Sequence, residues 1–460
     1  MKRSRITLAV AFSLAAIYES AGASGFALIE NSASGMGSAF AGAAAVSEDA
    51  STVWFNPAGM VRLKKQQIAG ALHVVLPEAS YTDEGSYINP ALTGDTVTPG
   101  SLSGSNDTTD VNAVVPNLYY VLPLNDQYTF GIGLNAPFGL ETDYDDEWVG
   151  RYHATNSQLM TLNINPSLAW QGPSGLSLGV GFNVQYAKAD LSNQIDSGAV
   201  CLKVAGDNNN LLAQCLDSGL LPNTVANDSS GNVIGDDWSY GYNLGLLYQF
   251  NEQSRIGLAY RSEVSHELEG DGEFEVNPEL RSFLDSVGLT TFLTDTSVTA
   301  AADLPASASL SGVVGITDRL TLLADITWTD WSSFDELRIE FDNPAQDDAV
   351  TDESWEDTMR YSIGLNFQEG PRIWRAGWAY DETPIPDPQH RTPRIPGNDR
   401  TWLSFGLGMP FSKAFWLDLG YTHIFIDDTP IDHTDSNGYT LRGVYEADVD
   451  ILSAQATMNF

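Results

Sequence analysis

The chain is poor in positive charge. Its 460 residues carry 22 lysines and arginines against 60 aspartates and glutamates, a formal net charge of −38. A surface of that sign repels nucleic acid and favours cations, so no nucleic-acid partner is expected. Cysteine is almost absent: Cys201 and Cys215 are too few for a disulfide-dense scaffold and make a poor metal site. Long hydrophobic runs are missing too. No apolar stretch reaches the roughly 18 residues that a membrane-spanning helix needs. Histidine is scarce, at positions 73, 153, 266, 390, 423 and 433. None belongs to a His-Glu-x-x-His pair, and no Gly-x-Ser-x-Gly turn accompanies them, so neither an enzyme nor a cofactor is expected.

What is present begins with Lys2, Arg3 and Arg5, a short apolar run at residues 6–17, and the small residues Ala21, Gly22 and Ala23. These are the parts of an export signal, which places residues 1–23 in a cleaved peptide and starts the mature chain near Ser24. Export exposes Cys201 and Cys215 to an oxidising compartment, and a disulfide stapling one external loop is expected. With no spanning helix, a membrane chain must be a closed barrel.

Alternation supports that. Leu452, Ala454, Ala456, Met458 and Phe460 fall on one face of a final strand, and Ser453, Gln455, Thr457 and Asn459 on the other. Residues 176–186 alternate in the same way, with the period of a strand rather than of a helix. Two adjacent apolar residues, Ile451 and Leu452, suggest a bulge. Six short connections alternate with seven long, acidic ones, which gives fourteen strands with both ends on the periplasmic side. The expected fold is all-β: a fourteen-stranded antiparallel transmembrane barrel over residues 66–460. Residues 24–65 are rich in Gly, Ala and Ser, unlike a lipid-facing strand. They read as a plug, since a lumen of this strand count is too wide for side chains alone to fill.

This segment, with Asn56-Pro57-Ala58, resembles the hatch of the FadL-type outer-membrane transporters of long-chain fatty acids. The resemblance continues through NAPFGLETDY (135–144), TLNINPSLAW (161–170), LAYRSEV (258–264) and DETPIPDPQHRTPRIPGNDRTW (381–402). It implies a Gram-negative outer-membrane protein that passes hydrophobic molecules inward, either long-chain fatty acids or uncharged hydrocarbons. The surroundings are lipid and lipopolysaccharide, and a monomer is expected. A general porin is disfavoured by the plug, and an outer-membrane lipase by the missing motifs.

The site expectations follow from that reading. Leu212 and Leu216 in the cysteine-bearing loop, with Leu280, Phe283, Leu284 and Val287 after the Asn277-Pro278 helix start, are candidates for an external capture groove. The alternative is that these helices simply pack on each other. The resemblance puts Phe26 and Leu28 at an inner pocket, against a plain role in plug packing. Asn56, Pro57 and Ala58 form a rigid turn or a hinge. Gly131, Gly133 and Pro137 interrupt the third strand. The resemblance makes that a lateral opening, although the glycines could instead make room for the plug. Alternation sends Arg261, Glu263, Asp325, Arg360, Arg375 and Asp418 into the lumen. A structural network with the plug acids Glu48 and Asp49 is preferred there to direct ligand contact.

Overall fold

A computed structural model describes residues 25–88 and 100–460; the expected signal peptide lies outside the described residues. Fourteen antiparallel strands close on themselves. The first strand, Gln67–Asp83, pairs with the fourteenth, Tyr439–Asn459, from Gln67↔Asn459 to Asp83↔Gly443. Closure pairs the first strand with the last, as a medium that offers no hydrogen bonds demands.

The walls alternate as strands half in lipid should. On the fifth strand, Leu176–Ile195, Leu178, Val180 and Phe182 are exposed on the outside, while Asn183 and Gln185 are buried toward the lumen. The expected bulge at Ile451 is absent. The register with the first strand runs on through Val74↔Leu452 and Val75↔Ile451. Ile451 points inward and packs with Val449, Leu28 and Met36, so its apolarity answers to the plug rather than to lipid.

A bulge does occur in the seventh strand, which runs as Ser254–Arg261 and then Val264–Glu275. Against the sixth strand, Ser229–Gln249, Asn243 pairs with Arg261 but Asp236 pairs with Glu269, so one extra residue has been inserted. This corrects the placement of Glu263. The phase flips after Arg261, Val264 and His266 turn inward, and Glu263 is exposed, accepting a bond from Ser265 Oγ (2.9 Å).

Residues 25–65 sit inside the barrel as three one-turn helices (Ala33–Met36, Ala43–Val46 and Thr52–Phe55) and a 3-10 helix, Pro57–Arg62. Their small side chains let backbone lie against backbone, and the wall answers with glycine. A Cβ at Gly179 would overlap Ala58 N, one at Gly245 would overlap Asn56 Oδ1, and one at Gly257 or Gly377 would overlap the plug backbone at Ala44 or Ser38. External loops add helices Ser197–Ala205, Asn209–Asp217 and Pro278–Ser286.

Candidate translocation site

The route through the lumen is built from the top down. The three loop helices form a small core of their own. Cys201 and Cys215 are disulfide-bonded, and Leu280, Phe283 and Leu284 are fully buried against them and Leu220. Leu212 and Val287 are half-buried, while Leu216 is 56% exposed. The helices therefore pack on one another here, and the apolar surface they offer outward comes from Leu216, Leu221 and Leu289.

Beneath the loops lies an almost wholly apolar cavity with about 870 Å³ of empty space, open solvent included, lined by Phe26, Leu140, Leu159, Leu268, Leu304, Phe334 and Ile395 among others. Glu353 and Arg394 stand at its wall. Burial pushes the Glu353 carboxyl up to about 8, although Trp355 Nε1 donates to it (3.1 Å) and the Arg394 charge opposes the rise. Burial lowers Arg394 to about 10; its guanidinium is already engaged by the carbonyls of Asn156 (3.0 Å) and His153 (3.0 Å) and by Ser157 Oγ (2.9 Å).

An aromatic cluster forms the floor of this cavity. The Phe26 ring lies 4.8 Å from Trp331, 5.4 Å from Phe334, 5.6 Å from Trp355 and 6.1 Å from Phe138, mostly edge-on or tilted. Such pairs each add about 0.5–1.5 kcal/mol beyond area burial. Trp331, Phe334 and Trp355 do not alternate like strand residues and escape a search for barrel periodicity. The run of aromatics in TWTDWSSF (327–334) was the signal for the first two.

Below the aromatics is a second cavity with about 1060 Å³ of empty space, open solvent included. Ala27, Leu28, Ile29, Phe40 and Phe55 of the plug line it, with Pro137 and Phe138 of the third strand and Arg261, Asp325, Arg360 and Asp381 of the wall. Arg261 sits 3.4 Å above the Trp54 ring and donates to Trp54 O (2.9 Å) and Asn183 Oδ1 (2.8 Å). Asp325 accepts from Thr327 Oγ1 (2.7 Å) and from Ser311 Oγ. Lower down, Arg375 pairs with Asp418 (2.7 Å) and with plug residue Glu48 (3.1 Å), while Asp49 accepts from Ser34 (2.6 Å) and Gln455 (2.8 Å). Arg375 and Asp418 thus serve the wall-to-plug network. Among the described residues one set with metal-ligand spacing occurs, His423, Asp448 and Asp450. It lies away from the lumen, with His423 Nδ1 already 2.9 Å from Asp450.

The second cavity borders a break in the wall. The third strand runs Tyr128–Asn135, stops at Ala136–Phe138, and resumes as Gly139–Asp143. Its lower part pairs with the second strand, Ala113–Pro123, from Leu118↔Leu134 to Pro123↔Thr129. Among the described residues its upper part pairs only with the fourth strand, Asn156–Gln171, so the second strand above Leu118 faces a gap. The start of the plug stitches that gap. Leu28 N donates to Pro137 O (2.8 Å) and Gly139 N to Phe26 O (2.9 Å). On the second strand Asn117 Nδ2 donates to Glu30 O (2.8 Å), and Tyr119 OH to Asn31 O (3.0 Å). Gly131 and Gly133 face the plug, where a Cβ at Gly131 would overlap Met60 and one at Gly133 would press on Tyr119 at 3.1 Å.

Asn56 locks the other end of the plug. Its Nδ2 donates to Ala44 O (2.6 Å) and, across to the wall, Leu246 O (3.0 Å), while Oδ1 accepts from Ala58 N (3.0 Å) and caps the 3-10 helix that Pro57 begins.

Comparison with known proteins decides the family. The profile described as "Outer membrane protein transport protein (OMPP1/FadL/TodX)" matches residues 14–460. The chain belongs to this family. Its FadL-type relatives include the "Long-chain fatty acid transport protein" of Escherichia coli O6:H1, 30% identical with 90% of each chain covered. "Outer membrane protein P1" of Haemophilus influenzae is 32% identical, covering 91% of this chain and 89% of the other. The solved Pseudomonas aeruginosa FadL homologue superposes with a TM-score of 0.83 at 24% identity, over 95% of this chain and 100% of the other. The Ralstonia pickettii toluene transporter TbuX superposes at 0.64 and 17% identity, over 93% and 98%; these structural likenesses bear on fold. The FadL-type chain is a Gram-negative outer-membrane transport protein for hydrophobic molecules, not an enzyme.

Proposed function

We propose that this FadL-type protein imports long-chain fatty acids, and that they leave the lumen sideways into the membrane. The observation that carries this reading is a single one. The inner cavity is bounded at once by the first residues of the plug and by the interrupted third strand. A ligand filling it presses on Leu28 and on Phe138, the two sides of the seam that closes the gap.

The sequence of events follows from the surfaces. Exposed leucines on and beside the loop helices collect the chain, and the upper apolar cavity receives it. Displacement of Phe26 opens the aromatic floor. Residues 26–31 then leave the third strand, and the tail enters the bilayer through the space they vacate. Asn56-Pro57-Ala58 anchors the remainder of the plug and serves as its hinge. The fatty-acid reading draws on the names of curated relatives and on wall arginines at the cavity.

A second reading, uncharged aromatic or aliphatic hydrocarbons, draws on the low polarity of the upper cavity and on the engagement of Arg261 by Trp54 and Asn183. Uptake of labelled oleate, toluene and an alkane by cells lacking their own transporter separates the two. Saturable oleate uptake that exceeds the others supports the first; toluene uptake without oleate uptake overturns it.

A further inference from the structure

The outer wall of the fifth to seventh strands carries side chains that passage through the lumen leaves unused. The register of the fifth strand with the sixth holds without a break from Tyr248↔Leu176 to Ser229↔Ile195. Alternation therefore carries the outward face of the fifth strand from Phe182 through Val184 and Tyr186 to Lys188. On the same face the sixth strand presents Tyr242, Tyr240 and Trp238, and the seventh presents Tyr260. Tyr186 lies 5.2 Å from Trp238, Phe182 stacks on Tyr240 at 5.8 Å, and Tyr242 lies 6.1 Å from Tyr260. Trp238 is 50% and Tyr240 62% exposed, so both rings are open to what surrounds the barrel. Lys188 stands at the top of this patch. It comes twelve residues after Leu176, the first residue above the periplasmic turn. At a rise of about 3.3 Å per residue and a tilt of about 40°, that height is about 30 Å, just past an apolar band of about 25 Å.

Lys188 enters none of the ion pairs among the described residues, although its register partner on the sixth strand is Asp236 and the chain carries a net charge of −38. Elsewhere at this height the wall presents acids. Glu78 of the first strand stands opposite Asp448 of the fourteenth, with Asp450 next to it and His423 of the thirteenth strand (Phe415–Ile426) alongside. A phosphate is repelled there and attracted at Lys188. We propose that Lys188, Trp238 and Tyr240 form an outer-wall site for a phosphorylated glycolipid of the outer leaflet, the lipid A part of lipopolysaccharide. The ammonium serves as a point charge for a phosphate. The rings, apolar in body and polar at one edge, suit the boundary between sugar and acyl chain. Aromatic rings alone would hold any lipid; the open cation among acids selects a phosphorylated one. The fifth and seventh strands continue upward into the loops that hold helices Ser197–Ala205 and Pro278–Ser286, so the glycolipid would stand at the foot of the cap. The site does not depend on which hydrophobic molecule the lumen carries.

The test is native mass spectrometry of the purified full chain in detergent, freed of bound lipid and titrated with bis-phosphorylated lipid A. The wild-type protein is expected to bind it in EDTA, where wall carboxylates cannot recruit phosphate through divalent cations. Lys188→Glu should weaken binding about tenfold or more, and Lys188→Arg should retain it. Trp238→Ala combined with Tyr240→Ala should weaken it by about threefold to tenfold. Lipid A stripped of its phosphates should bind the wild-type protein about as weakly as the intact lipid binds Lys188→Glu. Asp450→Asn, on the fourteenth strand, should change nothing. Heat-modifiable migration checks that each variant forms a barrel, and the dephosphorylated lipid carries the test on the wild-type chain if Lys188→Glu fails to assemble. Equal affinity of wild type and Lys188→Glu, equal affinity for the two lipids, or binding that requires Mg²⁺ overturns the site. So does a lipid-independent dimer that Trp238→Ala disperses, which would make the patch a contact between two copies of the chain.

Discussion

Asn56 ties the plug both to itself and to the wall. One amide spends its donors on the plug and the wall and its acceptor on the following turn. Asn56→Ala leaves buried carbonyls of Ala44 and Leu246 without that donor, at a cost of about 1–3 kcal/mol for each group stranded. The barrel should still assemble, with heat-modifiable migration on gels, but residues 25–65 should become accessible to added protease. Pro57→Ala tests the hinge separately. It frees the fixed φ of the first position of the 3-10 helix, and oleate uptake should fall while the barrel still assembles. Normal uptake would leave Pro57 as a turn residue only.

Glycine shows where reading by residue type stops. Gly131 and Gly133 stand out in sequence because they fall inside an apolar strand next to Pro137. Gly179, Gly245, Gly257 and Gly377 do the same work against the plug but look like ordinary inward positions, since nothing local marks which stretch of backbone will lie opposite. Gly245→Val should dislodge Asn56 and expose the plug to protease much as Asn56→Ala does. Glu263 failed for another local reason: alternation predicts direction only until an extra residue enters the strand.

Among elements, the external loops form a cap whose three helices share one core. Replacing Cys201 and Cys215 with Ser removes a 14-residue cross-link, worth roughly 3 kcal/mol to the loop by chain-entropy reasoning. The loop helices should be cleaved faster by protease, with the barrel intact. The cap should also respond to pH. His153 is held well below its ordinary value by burial and then by the neighbouring His433 and Arg394; its ring lies 5.5 Å from that of His433, which burial lowers as well. Burial in the folded cap disfavours the charged form of both. An unfolded cap takes up those protons below about pH 6.5 and the folded one does not, so stability present above that pH is lost as pH falls. Glu353 has the opposite sense. Its carboxyl is raised from 4.5 to about 8, so the stability of its neutral form is complete below pH 4.5 and is lost as pH rises toward 8. The two effects oppose each other, so the test isolates one: relative to the parent, His153→Phe should slow protease cleavage of the loops more at pH 5.5 than at pH 8, and an equal change at both pH values would remove His153 as the cause.

For the whole molecule, the fold was legible because its signals are repetitive. Strict period-two alternation, short turns alternating with long loops, and a small-residue segment ahead of the first strand each point to a filled barrel. The plug's position was legible from composition, since only small residues allow close backbone contact. The two cavities and the aromatic floor between them were not legible. They depend on loops at residues 330–335 and 353–355 folding inward onto Phe26, a long-range packing choice that no local period encodes. The loop helices had strong caps and apolar spacing, but spacing alone cannot distinguish a groove from a closed core.

The central claim is that substrate leaves through the seam between residues 26–28 and the third strand. Ala27 and Phe138 face each other there across a single antiparallel bridge. The decisive measurement is oleate uptake by cells carrying Ala27→Cys with Phe138→Cys, oxidised and then reduced, beside the parent chain under the same treatment. Uptake should be near background when the seam is cross-linked and return on reduction, with the parent unaffected. Full uptake through a cross-linked seam would contradict lateral exit.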